Sequence, residues 1–285
     1  MKNQRPLMLL GCMAALMTYS ISSEASELTL RRKEIAISGE ITREMVETAI
    51  PYLYKISAAR EKRIAETGVN EFPVSVCVNS QGGDLEAAMD LGRTLRRIRA
   101  NVTLCTRLSE EEYSSAPLAR VSKAELDEIE AVVNASIDGA VCASSCVFVL
   151  MGATTRQSFP VLEGHYPAVK IGVHRPMSTK ISTTAEESAK EYARVNQLVR
   201  DYLQEMNIPG SFLDMMNAVA PGEIRWLTHD ESRHFLPTTD PVEEDLQRSA
   251  RAKSLGISKE EVLQREIKFR AELEQWLKEN DEKGK

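Results

Sequence analysis

The sequence predicts an α/β fold in which βαβ units stack around a mostly parallel sheet. Three stretches carry that prediction. Phe72-Pro-Val-Ser-Val-Cys-Val78 is a β-branched run, the pattern of a strand buried on both faces. It passes through Asn79-Ser-Gln-Gly-Gly-Asp84 into a helical pattern over 85–98, and then into a second strand pattern over 101–106. Strand, loop, helix, strand is a crossover unit, which makes the two strands parallel. Further on, small residues from Asp138 lead into the apolar run Val147–Met151, the signature of a tight turn entering a buried helix.

Length and composition set the scale. The chain has 285 residues, 42% of them hydrophobic, enough for one domain of about 200 residues plus extensions. A net charge of −6 and an aromatic content of 5% argue against a nucleic-acid surface, so no nucleic-acid partner is expected. Lys2 and Arg5 precede the mostly apolar Leu7–Ile21, and Ser23-Glu-Ala25 supplies small residues at the −3 and −1 positions of a cleavage site. Residues 1–25 are therefore expected to be a signal peptide, and the mature chain periplasmic or secreted. Two other readings attach the protein to a membrane through its N-terminus: an uncleaved anchor, or a lipoprotein modified at Cys12 within Leu9-Leu-Gly-Cys12.

Taken in order, residues 26–33 read as a polar tail and Glu34–Ile41 as an alternating strand. Thr42 caps a helix carried by Met45, Ala49, Leu53 and Ile56, with Pro51 a candidate kink and 61–70 charged and exposed. In helix 85–98 the inner face is Ala88, Met89, Leu91, Leu95 and Ile98. Arg93, Arg96, Arg97 and Arg99 near its end read as a solvated face that complements the helix dipole. Residues 107–137 interrupt the core with an acidic helical insertion, a lid or a surface excursion. Val169–Val173 is a short strand that delivers His174. Helical patterns follow over 185–206 and 211–219, and 225–235 leads into another short helix. A tail over 241–285 begins after Asp240. In it Ser258-Lys-Glu-Glu261 is a capping box, and Val262, Phe269, Leu273, Trp276 and Leu277 form a stripe that needs a surface to pack on.

Two residues stand out chemically. Ser144 lies where a turn enters the buried helix, a setting whose free N–H groups suit a nucleophile with a developing oxyanion. A packing turn with a buried hydroxyl is the plainer reading. His174 ends a strand just before Arg-Pro, as site residues often do; His165, His229 and His234 read as surface or packing residues. Beyond the leader the cysteines are Cys77, Cys105, Cys142 and Cys146. An even number in an exported chain allows disulfides, and it equally allows small buried hydrophobes. If Cys142 and Cys146 share one helical turn, side-chain direction disfavours a bridge, so separate packing is expected, with Cys105 the alternative partner. No convincing metal-ligand cluster is visible, and neither metal nor cofactor is expected.

Asn79-Ser-Gln-Gly-Gly83, Ala143-Ser-Ser145 and Val173-His-Arg-Pro176 occur in this order, and together they resemble motifs of the Clp protease proteolytic subunit. They also resemble its relatives in the Clp/crotonase superfamily, in particular the exported Clp-like proteins of bacteria that carry Cys-x-Ser-x-Cys. Ile37-Ser-Gly-Glu-Ile-Thr42 looks like the first strand and turn of that family. The resemblance spans about residues 34–240. It implies a crotonase-like core with outer helices, Ser144 as nucleophile and His174 as general base, with the N–H groups of Gly83 and Ser145 as the oxyanion hole. There are departures. Gln81 replaces the loop proline, and Ala140, preceded by Gly139, replaces a glycine. Ile224 falls at the family's catalytic acid, and Glu223 and Asp214 are the nearest substitutes. The implied function is an exported, ATP-independent serine peptidase or related hydrolase acting on peptide or protein, with a homo-oligomer expected. A non-catalytic binding or scaffold protein on the same fold is the rival, and acyl-CoA chemistry is a third reading.

Overall fold

In the computed structural model, β3 (Ser75–Gly83) is the strand that the others are arranged around. Residues 27–30, 34–68, 73–105, 139–157, 170–177 and 184–281 are described; the expected leader and the 107–137 insertion lie outside them. β2 (Glu34–Ile41) pairs in parallel along one edge of β3, from Ile35↔Val76 to Ile41↔Gly83. The other edge of β3 is divided. Its first half pairs with β4 (Asn101–Leu104), and Ser80 further along pairs with Cys142 of β5 (Val141–Ala143). The sheet therefore forks at β3. β4 leads to β6 (Thr155–Gln157), while β5 leads to β7 (Lys170–Val173) and antiparallel β8 (Arg225–Trp226). The α/β class with parallel crossovers is as the sequence predicts.

Three short strands depart from that prediction. Glu27–Leu30 is not a tail but β1, antiparallel to β2, with Leu28 packed on the core. β6 and β8 replace expected loop. All three lie at sheet edges, where a neighbour's unpaired backbone groups recruit residues of modest strand propensity.

The helices cover the sheet. α1 (Arg43–Thr67) starts at Thr42, whose Oγ1 accepts from the Met45 N–H at 3.2 Å. It continues past Pro51 and through 61–67, because Pro51 is on the exposed face and the carbonyl that it strands can meet water. α2 (Leu85–Arg97) is capped by Asp84 and crosses α3 (Cys146–Gly152), every residue of which is buried. A Cβ at Gly152 would overlap the Gly92 backbone, so these glycines set the separation of the two helices. α4 (Ala185–Glu205) contributes Tyr202, fully buried, whose hydroxyl donates to Phe148 O at 2.5 Å. α5 (Ser211–Asn217), α6 (His229–Phe235), α7 (Pro241–Leu255) and α8 (Lys259–Asp281) complete the chain.

The arginines of α2 are a solvated face only in part: Arg97 is exposed in the last turn, as expected, whereas the others are tied to later elements. Arg93 pairs with Glu205 of α4 at 2.6 Å. Arg96 pairs with Asp240 at 3.0 Å, and Arg99 just beyond the helix pairs with Glu243 at 2.5 Å. Asp240 also caps α7 by accepting from the Val242 N–H. It is 1% exposed. Arg156, equally buried, donates to the Leu150, Met151 and Pro237 carbonyls at 2.8–2.9 Å. Burial, with Arg96 nearby, pushes its guanidinium down to about 10. Burial pushes the Glu243 carboxyl up, but hydrogen bonds from Arg99 and Gln247 outweigh it and leave it below its ordinary value. The tail is thus bolted to the core by ion pairs, and α8 is held to α7 through Glu266 with Arg248 and Arg251. On the expected apolar stripe Val262 is buried and Phe269 is exposed; the side chains of Leu273, Trp276 and Leu277 lie outside the description.

Removing the Asp240 carboxylate leaves Arg96 and Arg156 without their shared counter-charge. Asp240→Ala should lower the unfolding free energy by about 3–5 kcal/mol, read from the urea midpoint at constant m-value. Asp240→Asn, which keeps the cap, should cost less.

Candidate active site

The C-terminal ends of β3, β5 and β7 meet at one place, as ligand-binding strand ends do in parallel sheets. β5 ends at Ala143, which pairs with Gly172 of β7. The Ser144 N–H then donates to Gly172 O at 2.9 Å. At Ser144 the chain takes a left-handed conformation, φ 56°, and turns sharply into α3. A non-glycine residue there is uncommon. The turn presents the half-buried Ser144 side chain to the end of β7, and its Oγ lies 2.5 Å from His174 Nε2. The structure thus brings together the two residues that the sequence singles out.

The second ring nitrogen fixes the tautomer. His174 Nδ1 lies 2.7 Å from Arg175 O. A carbonyl only accepts, so Nδ1 carries the proton and neutral Nε2 offers a lone pair to the Ser144 hydroxyl. No carboxylate bonds to His174 among the described residues. Asp214 is exposed on α5, away from any bond to the ring. Glu223 lines a cavity of about 210 Å³ with His174, Arg175, Met177, Gly222 and Ile224, but it makes no hydrogen bond to His174. Neither suggested acid is therefore in place, and a backbone carbonyl occupies the position instead.

Gly82 closes the site from β3. A Cβ on it would sit 2.5 Å from Ser144 Cβ and 2.9 Å from its Oγ, and its φ of 116° is open only to glycine. Its N–H donates to Ser80 Oγ at 3.0 Å. The next residue, Gly83, abuts Ile41 of β2. Ser145 is buried with its Oγ unpartnered, so of the two adjacent serines only Ser144 reaches the histidine. Sequence reasoning missed the roles of Gly82 and of the Arg175 carbonyl. The adjacent glycines and the Arg-Pro dipeptide were the signals for them.

No protein-family model matches the chain, and no curated protein matches it. Solved structures similar to it include ClpP1 from Listeria monocytogenes, at 16% identity and a TM-score of 0.41, and a mutant of that ClpP1, at 17% and 0.44. Each alignment covers 72% of this chain and 88% of the other.

The cysteines flanking Ser144 are bridged, contrary to expectation. Cys142 and Cys146 form a disulfide with a Cα–Cα separation of 5.3 Å. The two do not share a helical turn. Cys142 is on β5, Cys146 opens α3, and the left-handed serine between them folds one back onto the other. Cys77 and Cys105 are also bridged, across the β3–β4 pair, 5.6 Å apart at Cα.

Peptide mapping of unreduced protein should return the crosslinks 142–146 and 77–105; any other pairing would contradict the turn described. Gly82→Ala should displace Ser144 and lower the rate of its modification about 100-fold while circular dichroism stays native. An unchanged rate would mean that Ser144 can yield to the added methyl.

Proposed function

We propose that the mature chain is an exported serine peptidase or related acyl hydrolase. The 2.5 Å approach of Ser144 Oγ to His174 Nε2 carries this reading, because it is the hydrogen bond along which a nucleophile gives up its proton. Ser144 Oγ attacks the acyl carbonyl as Nε2 takes the hydroxyl proton. The carbonyl π pair moves to oxygen, and the oxyanion needs donors. The Ser145 N–H has no acceptor within the described protein. Asp84 donates its N–H to Ile41 O at 2.8 Å, and alternate peptide groups of an extended chain face opposite edges, which leaves the Gly83 N–H for the side facing β5. These two groups are the proposed oxyanion hole. Collapse expels the leaving group, protonated by His174, and leaves an acyl-Ser144 ester. Water, deprotonated by the same ring, hydrolyses it.

Export is supported by the basic and apolar start, by the Ser23-Glu-Ala25 site and by two disulfides, which persist in oxidising compartments. A peptide or protein substrate follows from the resemblance of the three motifs. Ile224, 46% exposed beside His174 where the resemblance calls for an acid, favours the rival reading of a binding protein without turnover.

A fluorophosphonate probe separates the two. It should label the wild type and Ser145→Ala, and fail on Ser144→Ala, whose kcat should drop on the order of 10⁵–10⁶-fold. Equal labelling of wild type and Ser144→Ala would refute the nucleophile. N-terminal sequencing of the native protein should begin at Ser26, whereas an intact Met1 would contradict cleavage.

A further inference from the structure

His174 is followed by two residues that leave its neighbouring carbonyl little freedom. Arg175 precedes proline, and the Pro176 ring confines such a residue to extended or polyproline backbone, which sets the direction of its carbonyl. Pro176 is itself buried. At its far end the Arg175 side chain is also tied. Nη2 donates to Asn217 O, the last residue of α5, at 2.9 Å. Nε is buried without a partner, so Nη2 makes the connection. Asn217 is fixed in turn by α4: its Oδ1 accepts from Tyr192 OH at 3.0 Å, and its Nδ2 donates to Asn196 Oδ1 at 2.9 Å. A continuous chain of bonds therefore runs from the α4–α5 pair through Arg175 to the ring of His174.

We propose that Arg175 is a positioning residue for His174. Its carbonyl, aimed by Pro176 and anchored through the guanidinium on Asn217, does the orienting that a carboxylate does in a Ser-His-Asp site. This rests on the nucleophile-and-base reading above. The carbonyl holds the productive tautomer and ring angle. It is neutral, so it adds no full charge to favour the imidazolium formed when Nε2 takes the serine proton. The Ile224 position, on the cavity beside the ring, is where a carboxylate can be added to that arrangement.

The test is hydrolysis of p-nitrophenyl butyrate by the full mature chain, with Ser144→Ala as the baseline. Arg175→Ala should lower kcat about 10- to 100-fold with KM little changed. Arg175→Lys keeps a donor for Asn217 O and should recover most of that loss. Ile224→Asp changes an exposed residue, so the fold is not at stake. Its carboxylate should move the acidic limb of the kcat/KM profile to higher pH, because an adjacent anion favours the protonated ring. Arg175→Ala with wild-type kcat, or an unmoved limb in Ile224→Asp, overturns the proposal while Ser144-dependent turnover persists. Turnover by Ser144→Ala at the wild-type rate would instead sink the underlying reading.

Discussion

The hydrogen bond from the Ser144 N–H to Gly172 O is the constraint on which the site depends. It is the last rung between β5 and β7, and it comes just before the chain turns left-handed. Because Gly172 is that rung's acceptor, the side chain two residues further on, just past the end of β7, is His174, within hydrogen-bond reach of the serine hydroxyl. The Oγ–Nε2 distance is thus a consequence of strand register. A one-residue slip would exchange the faces of β7 and put Val173 where the imidazole stands. The same register leaves room for only one kind of residue on β3, since the third wall of the site is the bare Cα of Gly82.

A left-handed serine costs about 1–2 kcal/mol, and such conformations persist only where the surroundings over-determine them. Three features do so. The Cys142–Cys146 bridge closes the turn on itself. α3 is buried along its whole length and locked against α2 by the Gly92–Gly152 contact. At the other end of α3, Arg156 donates to the Leu150 and Met151 carbonyls and Arg96 to the Met151 carbonyl, satisfying buried acceptors of the last turn. Those cations require Asp240, and Asp240 caps α7. The C-terminal helices are therefore not an appendage independent of the site. The residue that caps them, Asp240, is the counter-charge to the arginine that bonds the end of the helix whose start follows Ser144.

Much of this was legible in the sequence. The βαβ unit through Gly82 and Gly83, the turn at Ser144 and the strand ending in His174 all left strong local signals, because β-branched runs and paired glycines have few alternative uses. What was missed depends on tertiary pairing. β1, β6 and β8 are short and take their structure from a neighbour's edge. Arg93, Arg96 and Arg99 share with Arg97 the composition of a solvated face; only the arrival of α4 and α7 ties those three into ion pairs. The bridge at 142–146 is not legible in the sequence, because a helical turn through the serine disfavours it and only the left-handed Ser144 brings the two cysteines together. The sequence points to a carboxylate beside His174, Glu223 or Asp214, whereas the group at Nδ1 is a peptide carbonyl, which leaves no mark in the side-chain sequence.

A catalytic and a purely structural reading of Ser144 make different physical demands. A turn needed only for packing would be served better by glycine, which adopts φ 56° without strain. Serine keeps the strain and gains a hydroxyl. That hydroxyl is not spent on the backbone, the usual use of a serine in a turn, but on an imidazole whose other nitrogen is already committed to a carbonyl. The pair is left with one reactive direction, proton transfer from Oγ to Nε2. Ile224 weighs on the other side, since an apolar side chain beside the ring withholds the charge that would stabilise the imidazolium. A neutral orienting group reconciles the two observations. It preserves geometry, the larger part of what a third residue supplies when the alternative is the wrong tautomer, and gives up electrostatic assistance. On the proposed hydrolase reading, such a site keeps a directed nucleophile and turns over more slowly than one with a buried carboxylate.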